Sequence, residues 1–90
     1  MIKLTGRLIC KSREEADLIR HYLPEHINLT MQEAGCVTFA VTQTADPLIW
    51  QVEEQFTDKQ SFEAHQKRTR ASLWGKASRA ITREYEITEL

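Results

Sequence analysis

Apolar side chains alternate along IKLTGRLIC, where Ile2, Leu4, Leu8 and Cys10 fall on one face, the period of a β-strand. Ser12 then precedes REEADLIRHYLPEHINLTMQEAG with Glu15 three residues on, the pattern of a capping box that opens a helix. Ala16, Ile19, Leu23 and Ile27 recur at helical spacing and are the expected buried stripe. Pro24 removes one backbone donor and is expected to kink or divide this helix, and Gly35 to end it. CVTFAVTQ alternates Val37, Phe39 and Val41 on one face and predicts a second strand; TADP makes a turn. LIWQVEEQF predicts a third strand, with Leu48, Trp50, Val52, Glu54 and Phe56 sharing a side. Asp58 can cap the helix KQSFEAHQKR, which either continues or breaks into TRASLWGKAS. AITREYEI closes the series as a strand carrying Ile81, Arg83, Tyr85 and Ile87 on one side.

The order β-α-β-β-α-β predicts an α+β fold of the ferredoxin-like kind. Four antiparallel strands carry the helices on one face, in a single domain over residues 1–90. The other face would carry Lys3, Arg7, Ile9, Cys36, Thr38, Ala40, Ile49, Gln51, Glu53 and Gln55, a mixed surface. Face-to-face association of two sheets would bury its apolar members, so a homodimer through the open sheet face is expected. Cys10 and Cys36 would lie on strands separated by another, roughly 9–10 Å apart and beyond disulfide reach.

Composition alters this picture little. The chain is 41% hydrophobic and 28% charged with a net charge of −1, ordinary for a globular domain. It gives no reason to expect nucleic-acid or membrane binding. No apolar run approaches the length of a spanning helix, and the first residues lack a signal peptide's apolar core, so a cytoplasmic location is expected. His21 and His26 are five apart, off the spacing that sets two ligands on one helix face. There is no glycine-rich phosphate loop and no Gly-x-Ser-x-Gly. Neither a metal nor another cofactor is expected.

The most informative run is VEEQFTDKQSFEAHQKR, which passes from strand to helix. Its residues Glu54, Phe56, Asp58, Phe62 and His65, preceded by Trp50, resemble the antibiotic biosynthesis monooxygenase (ABM) domain family. In that family an aromatic strand ending in Glu and an aromatic leads into an acidic helix start and an aromatic-x-x-His. Glu33, Gly35 and Cys36 in QEAGCVTFAV similarly resemble its Glu-x-Gly-Cys entry to the second strand. The resemblance spans nearly the whole chain. It implies a dimeric α+β barrel with a cavity between helices and sheet. The chemistries it implies range over cofactor-independent oxidation of quinols or phenols, haem degradation, and isomerisation of small sugar-derived signals. Strand one reads Gly6-Arg7 where the haem-degrading branch has an asparagine, which sets that activity aside. KRTRAS stands where many members have Pro-His or Pro-Phe, so no second catalytic histidine carries over.

Each candidate has a plain structural alternative. Glu54 shares a face with apolar residues, where a carboxylate is costly unless paired; it is either catalytic or a latch to His65. His65, one turn beyond Phe62, can remove a phenolic or α-carbonyl proton, with Glu54 fixing its tautomer, or can simply support that latch. Arg83 can bind an anionic oxygen or merely snorkel to water. Trp50, Phe39, Phe62, Trp74 and Tyr85 suit a flat aromatic substrate, and would equally make a small core. Between Lys67 and Arg83 lie six basic residues and no acid, which would steer an anion or form a solvated helix face.

The reading that follows is a cofactor-independent monooxygenase oxidising a quinol-like or phenolic molecule with O2. His65 and Glu54 are catalytic, and Trp50, Phe39, Phe62, Trp74, Arg83 and Tyr85 bind substrate. A non-catalytic dimeric binding module of the same fold and an isomerase using the same His/Glu pair are the alternatives. A cavity filled by Trp50 and Trp74 would favour the module.

Overall fold

The computed structural model describes residues 1–90 and orders seven elements along the chain. They are β1 (Ile2–Ile9), α1 (Arg13–Met31), β2 (Cys36–Gln43), β3 (Ile49–Phe56), α2 (Lys59–Ala71), α3 (Leu73–Ala77) and β4 (Thr82–Glu89). The strands make one antiparallel sheet in the order β2-β3-β1-β4. This is the ferredoxin-like α+β arrangement expected from the pattern of alternation.

Strand parity decides what is buried. Ile2, Leu4, Leu8 and Cys10 from the first strand region face the helices with Trp50, Val52 and Phe56 of β3. Ala16, Ile19 and Leu23 of α1, Phe62 of α2, Trp74 of α3 and Ile81 close the core from above. Opposite this layer the sheet is uncovered; Thr38, Ala40, Gln51, Glu53 and Glu84 are exposed there, and Arg7 pairs with Glu84 across β1 and β4.

α1 begins as its capping residues dictate. Ser12 Oγ accepts the Glu15 backbone N–H at 3.3 Å, and Glu15 reaches one residue further back than a strict capping box, accepting from Lys11 N at 2.7 Å. The helix is continuous through Pro24 rather than divided. Arg20, whose carbonyl loses its i+4 donor there, is an exposed residue, so water can serve that oxygen. The buried stripe runs Ala16, Ile19, Leu23, His26, Thr30; the expected Ile27 is only half-buried. Spacings of three and four continue through the polar His26, not the apolar residue beside it.

Gly35 does not end the helix. Gln32 occupies the C-cap, and no glycine has a positive φ. What Gly35 supplies is closeness: a Cβ there would collide with the Ser61 side chain at the start of α2, and Gly35 O accepts from Thr57 N at 2.9 Å. A second correction falls on β2. A bulge at Val37, between the pairs Cys36–Phe56 and Thr38–Gln55, turns Cys36 inward against the core and leaves Val37 exposed. From Phe39 onward the expected parity holds, with Phe39 opposite Glu54 and Val41 opposite Val52. Both cysteines are free thiols.

Candidate functional site

Two elements aim ionisable groups at each other. Glu54 lies between Val52 and Phe56 on the inward side of β3 and is only 6% exposed. His65 lies one turn after Phe62 on the buried side of α2 and is 1% exposed. Asp58 starts that helix, its carboxylate accepting the Ser61 N–H at 2.7 Å, and so fixes which face of α2 meets the sheet.

The carboxylate that orients His65 is Glu33, not Glu54. His65 Nδ1 donates to Glu33 Oε1 at 2.9 Å, which leaves Nε2 of the neutral ring with its lone pair. Nε2 faces Thr69 Oγ1 at 3.4 Å and Glu54 Oε1 at 3.6 Å, the latter outside hydrogen-bond range. Glu33 is itself clamped: Arg68 donates to the same oxygen through Nη2 at 2.8 Å and Nε at 3.2 Å. Arg68 also donates to Thr30 Oγ1 at 2.9 Å, and that hydroxyl donates to His26 O at 2.7 Å. An Arg68–Glu33–His65 chain thus ties the end of α1 to the middle of α2.

Burial sets the protonation states. It raises the Glu54 carboxyl to about 7, with the Glu33 charge adding to the effect. Burial lowers the His65 imidazole below its ordinary value, against the opposing hydrogen bond and charge of Glu33. His26, 4% exposed, is pushed down to about 3, by burial first and then by His65, Arg68 and Arg83. The site therefore offers two neutral imidazoles and a carboxyl poised near neutrality. Glu54 Oε1 and His26 Nδ1 have no hydrogen-bond partner within the protein.

These groups surround a cavity of about 40 Å³ between helices and sheet. Phe39, Glu54, His65, Trp74, Arg83 and Tyr85 all contribute to its wall. Trp50 and Phe62 do not. Trp50 lies toward the other end of the sheet beneath the Arg20 guanidinium, 5.9 Å from its ring centre, and Phe62 packs edge-on against Phe56 with ring centres 5.7 Å apart. Arg83 neither snorkels nor lies free. Its guanidinium donates to Ser78 O at 2.8 Å, Ile81 O at 3.1 Å and Ser78 Oγ at 2.8 Å, bracing the turn between α3 and β4. The volume admits small molecules such as water and is far below the several hundred Å³ of a typical small-molecule site. No group of three or more His, Cys, Asp or Glu side chains is arranged to hold a metal ion.

Two residues at this site escape the reading of motifs. His26 stacks on Trp74 at 5.4 Å and lies 5.7 Å from His65, ring centre to ring centre; the three-four spacing from Ile19 and Leu23 was the signal that could have placed it. Glu33 was visible only as part of a short run, and its contact with His65 spans 32 residues.

A split β-α-β sheet with helices on one side and an oriented imidazole over a small cavity defines an α+β sheet protein with a site between its layers. The family model described as antibiotic biosynthesis monooxygenase matches residues 1–76, and the chain belongs to that family. No curated protein matches the sequence. Among solved structures it is similar to a candidate antibiotic biosynthesis monooxygenase from Nitrosomonas europaea, at 16% identity and a TM-score of 0.77 over 99% of this chain and 97% of that one. A second candidate of the same description, from Deinococcus radiodurans, is 22% identical with a TM-score of 0.78 over 100% and 92%. A conserved protein of unknown function from Bacteroides thetaiotaomicron gives 15% and 0.80 over 99% and 96%. At such identities the likeness to solved structures establishes the fold alone. No helix is long and apolar enough to cross a membrane.

Proposed function

We propose that this ABM-family protein is a homodimeric, cofactor-independent monooxygenase that oxidises a phenolic or quinol-like molecule with O2. The observation that carries the reading is His65: its Nδ1–H is committed to Glu33 at 2.9 Å, while Nε2 keeps a lone pair at the cavity. Such a base takes the proton of a phenolic or activated methylene group. The resulting electron-rich anion reduces O2, and collapse of the adduct leaves a carbonyl. For an anthrone-type methylene the balance is CH2 + O2 → C=O + H2O. Glu54, with its carboxyl near 7, gives its proton to the peroxide adduct; as the O–O bond breaks it takes the remaining C–H proton, the His65 imidazolium protonates the departing hydroxide, and water leaves with both groups reset.

The cavity's size favours a second reading. About 40 Å³ leaves no room for a ring beside Trp74, which suits a binding module, or proton transfer by the same pair without oxygen. Oxygen uptake separates them. Purified protein is given hydroquinones, an anthrone and their carboxylate- and phosphate-bearing counterparts, with His65→Gln as the control that preserves the helix and most of the packing. Uptake above autoxidation that falls by about 10²-fold or more in the variant, the range expected for loss of a general base, supports the oxygenase. Uptake indistinguishable from autoxidation across the panel refutes it.

A further inference from the structure

Beside the small cavity lies a second, open basin of about 440 Å³, walled by Gln66, Thr69, Arg70, Gly75, Arg79, Arg83 and Tyr85. Gln66, Thr69, Arg83 and Tyr85 belong to both walls, so basin and cavity are neighbours across a shared partition. Their sizes divide the labour. The cavity takes an atom or two of a ligand; the basin lies within the 300–1,000 Å³ range of small-molecule sites.

The basin's charge is one-sided. Three arginines line it and no carboxylate does. Arg70 and Arg79 form no ion pair, although the whole chain has a net charge of −1 and carboxylates to spare. Arg70 in the last turn of α2 also offsets the negative end of that helix, but this account does not extend to Arg79, which follows α3, or to Arg83 on β4. Arg83 is held in place by its three bonds to Ser78 and Ile81 and keeps further N–H donors. At the other side of the partition Glu54 Oε1 and His26 Nδ1 are deeply buried and unpartnered, which marks the cavity as the receiving end for a polar atom.

Resting on the reading of His65 as the working base, we propose that the substrate is an anion. Its carboxylate or phosphate lies in the basin against Arg70, Arg79 and Arg83, while its phenolic or enolisable group points through the partition toward His65. Guanidinium groups recognise either oxyacid by paired N–H donation. The ring itself lies in the basin, so the small inner volume is no obstacle.

The test compares three ligands sharing one ring: 4-hydroxybenzoate, 4-hydroxyphenyl phosphate and the neutral methyl 4-hydroxybenzoate. Binding to the intact protein is followed by calorimetry and by NMR titration to millimolar concentration at low and high salt. At least one anion binds about tenfold tighter than the ester at low salt, and the advantage shrinks as salt rises. In Arg70→Ala/Arg79→Ala, checked for an unchanged thermal melt, the ratio falls to within about twofold, and Arg79→Glu reverses it. Whichever anion leads identifies the oxyacid. Equal binding of acid, phosphate and ester, a preference that survives the double variant, or no binding by any of the three overturns the proposal. The assay does not depend on turnover. Anion preference with no oxygen uptake retires the oxygenase and leaves the basin standing; uptake with neutral quinols and no anion preference does the reverse.

Discussion

Glu54 holds an ionisable group where the core wants none, and its raised pKa converts directly into a pH-dependent stability. Because the folded carboxyl binds its proton up to about 7 and the unfolded one only to 4.5, folding weakens as pH rises through that interval. The full effect is on the order of 3 kcal/mol at most. His26 works in the opposite sense. Its folded pKa is about 3 against 6.5 unfolded, so stability falls as pH drops below 6.5. Between 4.5 and 6.5 the two slopes largely cancel. Glu54→Gln removes one of them: urea unfolding at pH 8 finds the variant more stable than the parent by about 1–3 kcal/mol, with stability rising between pH 4.5 and 6.5. A variant no more stable at pH 8 means that Glu54 is solvated in solution. Activity follows related limits. Under the proposed mechanism the acid limb of kcat/KM reports His65 and lies below pH 6.5, and a basic limb near 7 reports Glu54 and disappears in Glu54→Gln. A basic limb that persists in the variant assigns it to another group.

At the scale of elements, the joint between β2 and α2 carries the site. Gly35 lets the start of α2 approach the loop that also bears Glu33, and α2 delivers His65 to that same carboxylate. Gly35→Ala drives a methyl into Ser61 and destabilises by roughly 1–3 kcal/mol, the usual cost of overpacking. Ser61→Gly in the same chain recovers most of it, as a double-mutant cycle in urea will report; additive losses place the strain elsewhere. This joint was also the least legible part of the sequence. β1 and β3 could be read because their alternation is interrupted only by Gly6 and Glu54 and one face is dry. The bulge at Val37 could not, since an extra residue changes the facing of Cys36 without altering composition. Glu33 lies outside any periodic element, so nothing local tells which histidine 32 residues away it will meet. His65 and Glu54 were legible as candidates because a polar group on an apolar face breaks the period. Their partners were not, because contact across the core depends on where whole elements dock.

For the whole molecule, the uncovered sheet face is the surface that the proposed homodimer would bury. Ile9 and Ile49 are directly opposed on β1 and β3 and half-exposed there, among exposed polar and small residues. Pairing of two such faces yields a dimer of about 21 kDa from the 10.5 kDa chain, measurable by sedimentation velocity. Ile9→Arg/Ile49→Arg places charge in the middle of the proposed contact and shifts the equilibrium toward monomer by tenfold or more, the cost of burying unpaired charge. An unchanged sedimentation coefficient puts the interface elsewhere.

Gly6 has a reach beyond its own strand. Directly opposite Tyr85, it leaves no side chain between β1 and the tyrosine, whose Cδ1 lies 2.7 Å from where a Cβ would stand. Tyr85, with Arg83, forms part of the partition between cavity and basin, and both belong to β4, a strand with one hydrogen-bonded neighbour. The wall shared by the two spaces is therefore set partly by the sheet's margin, while His65 and Glu54 rest on α2 and the interior strand β3. In evolutionary terms the two are separable: substitution along β4 and at position 6 reshapes the shared wall and leaves His65, Glu33 and Glu54 in place.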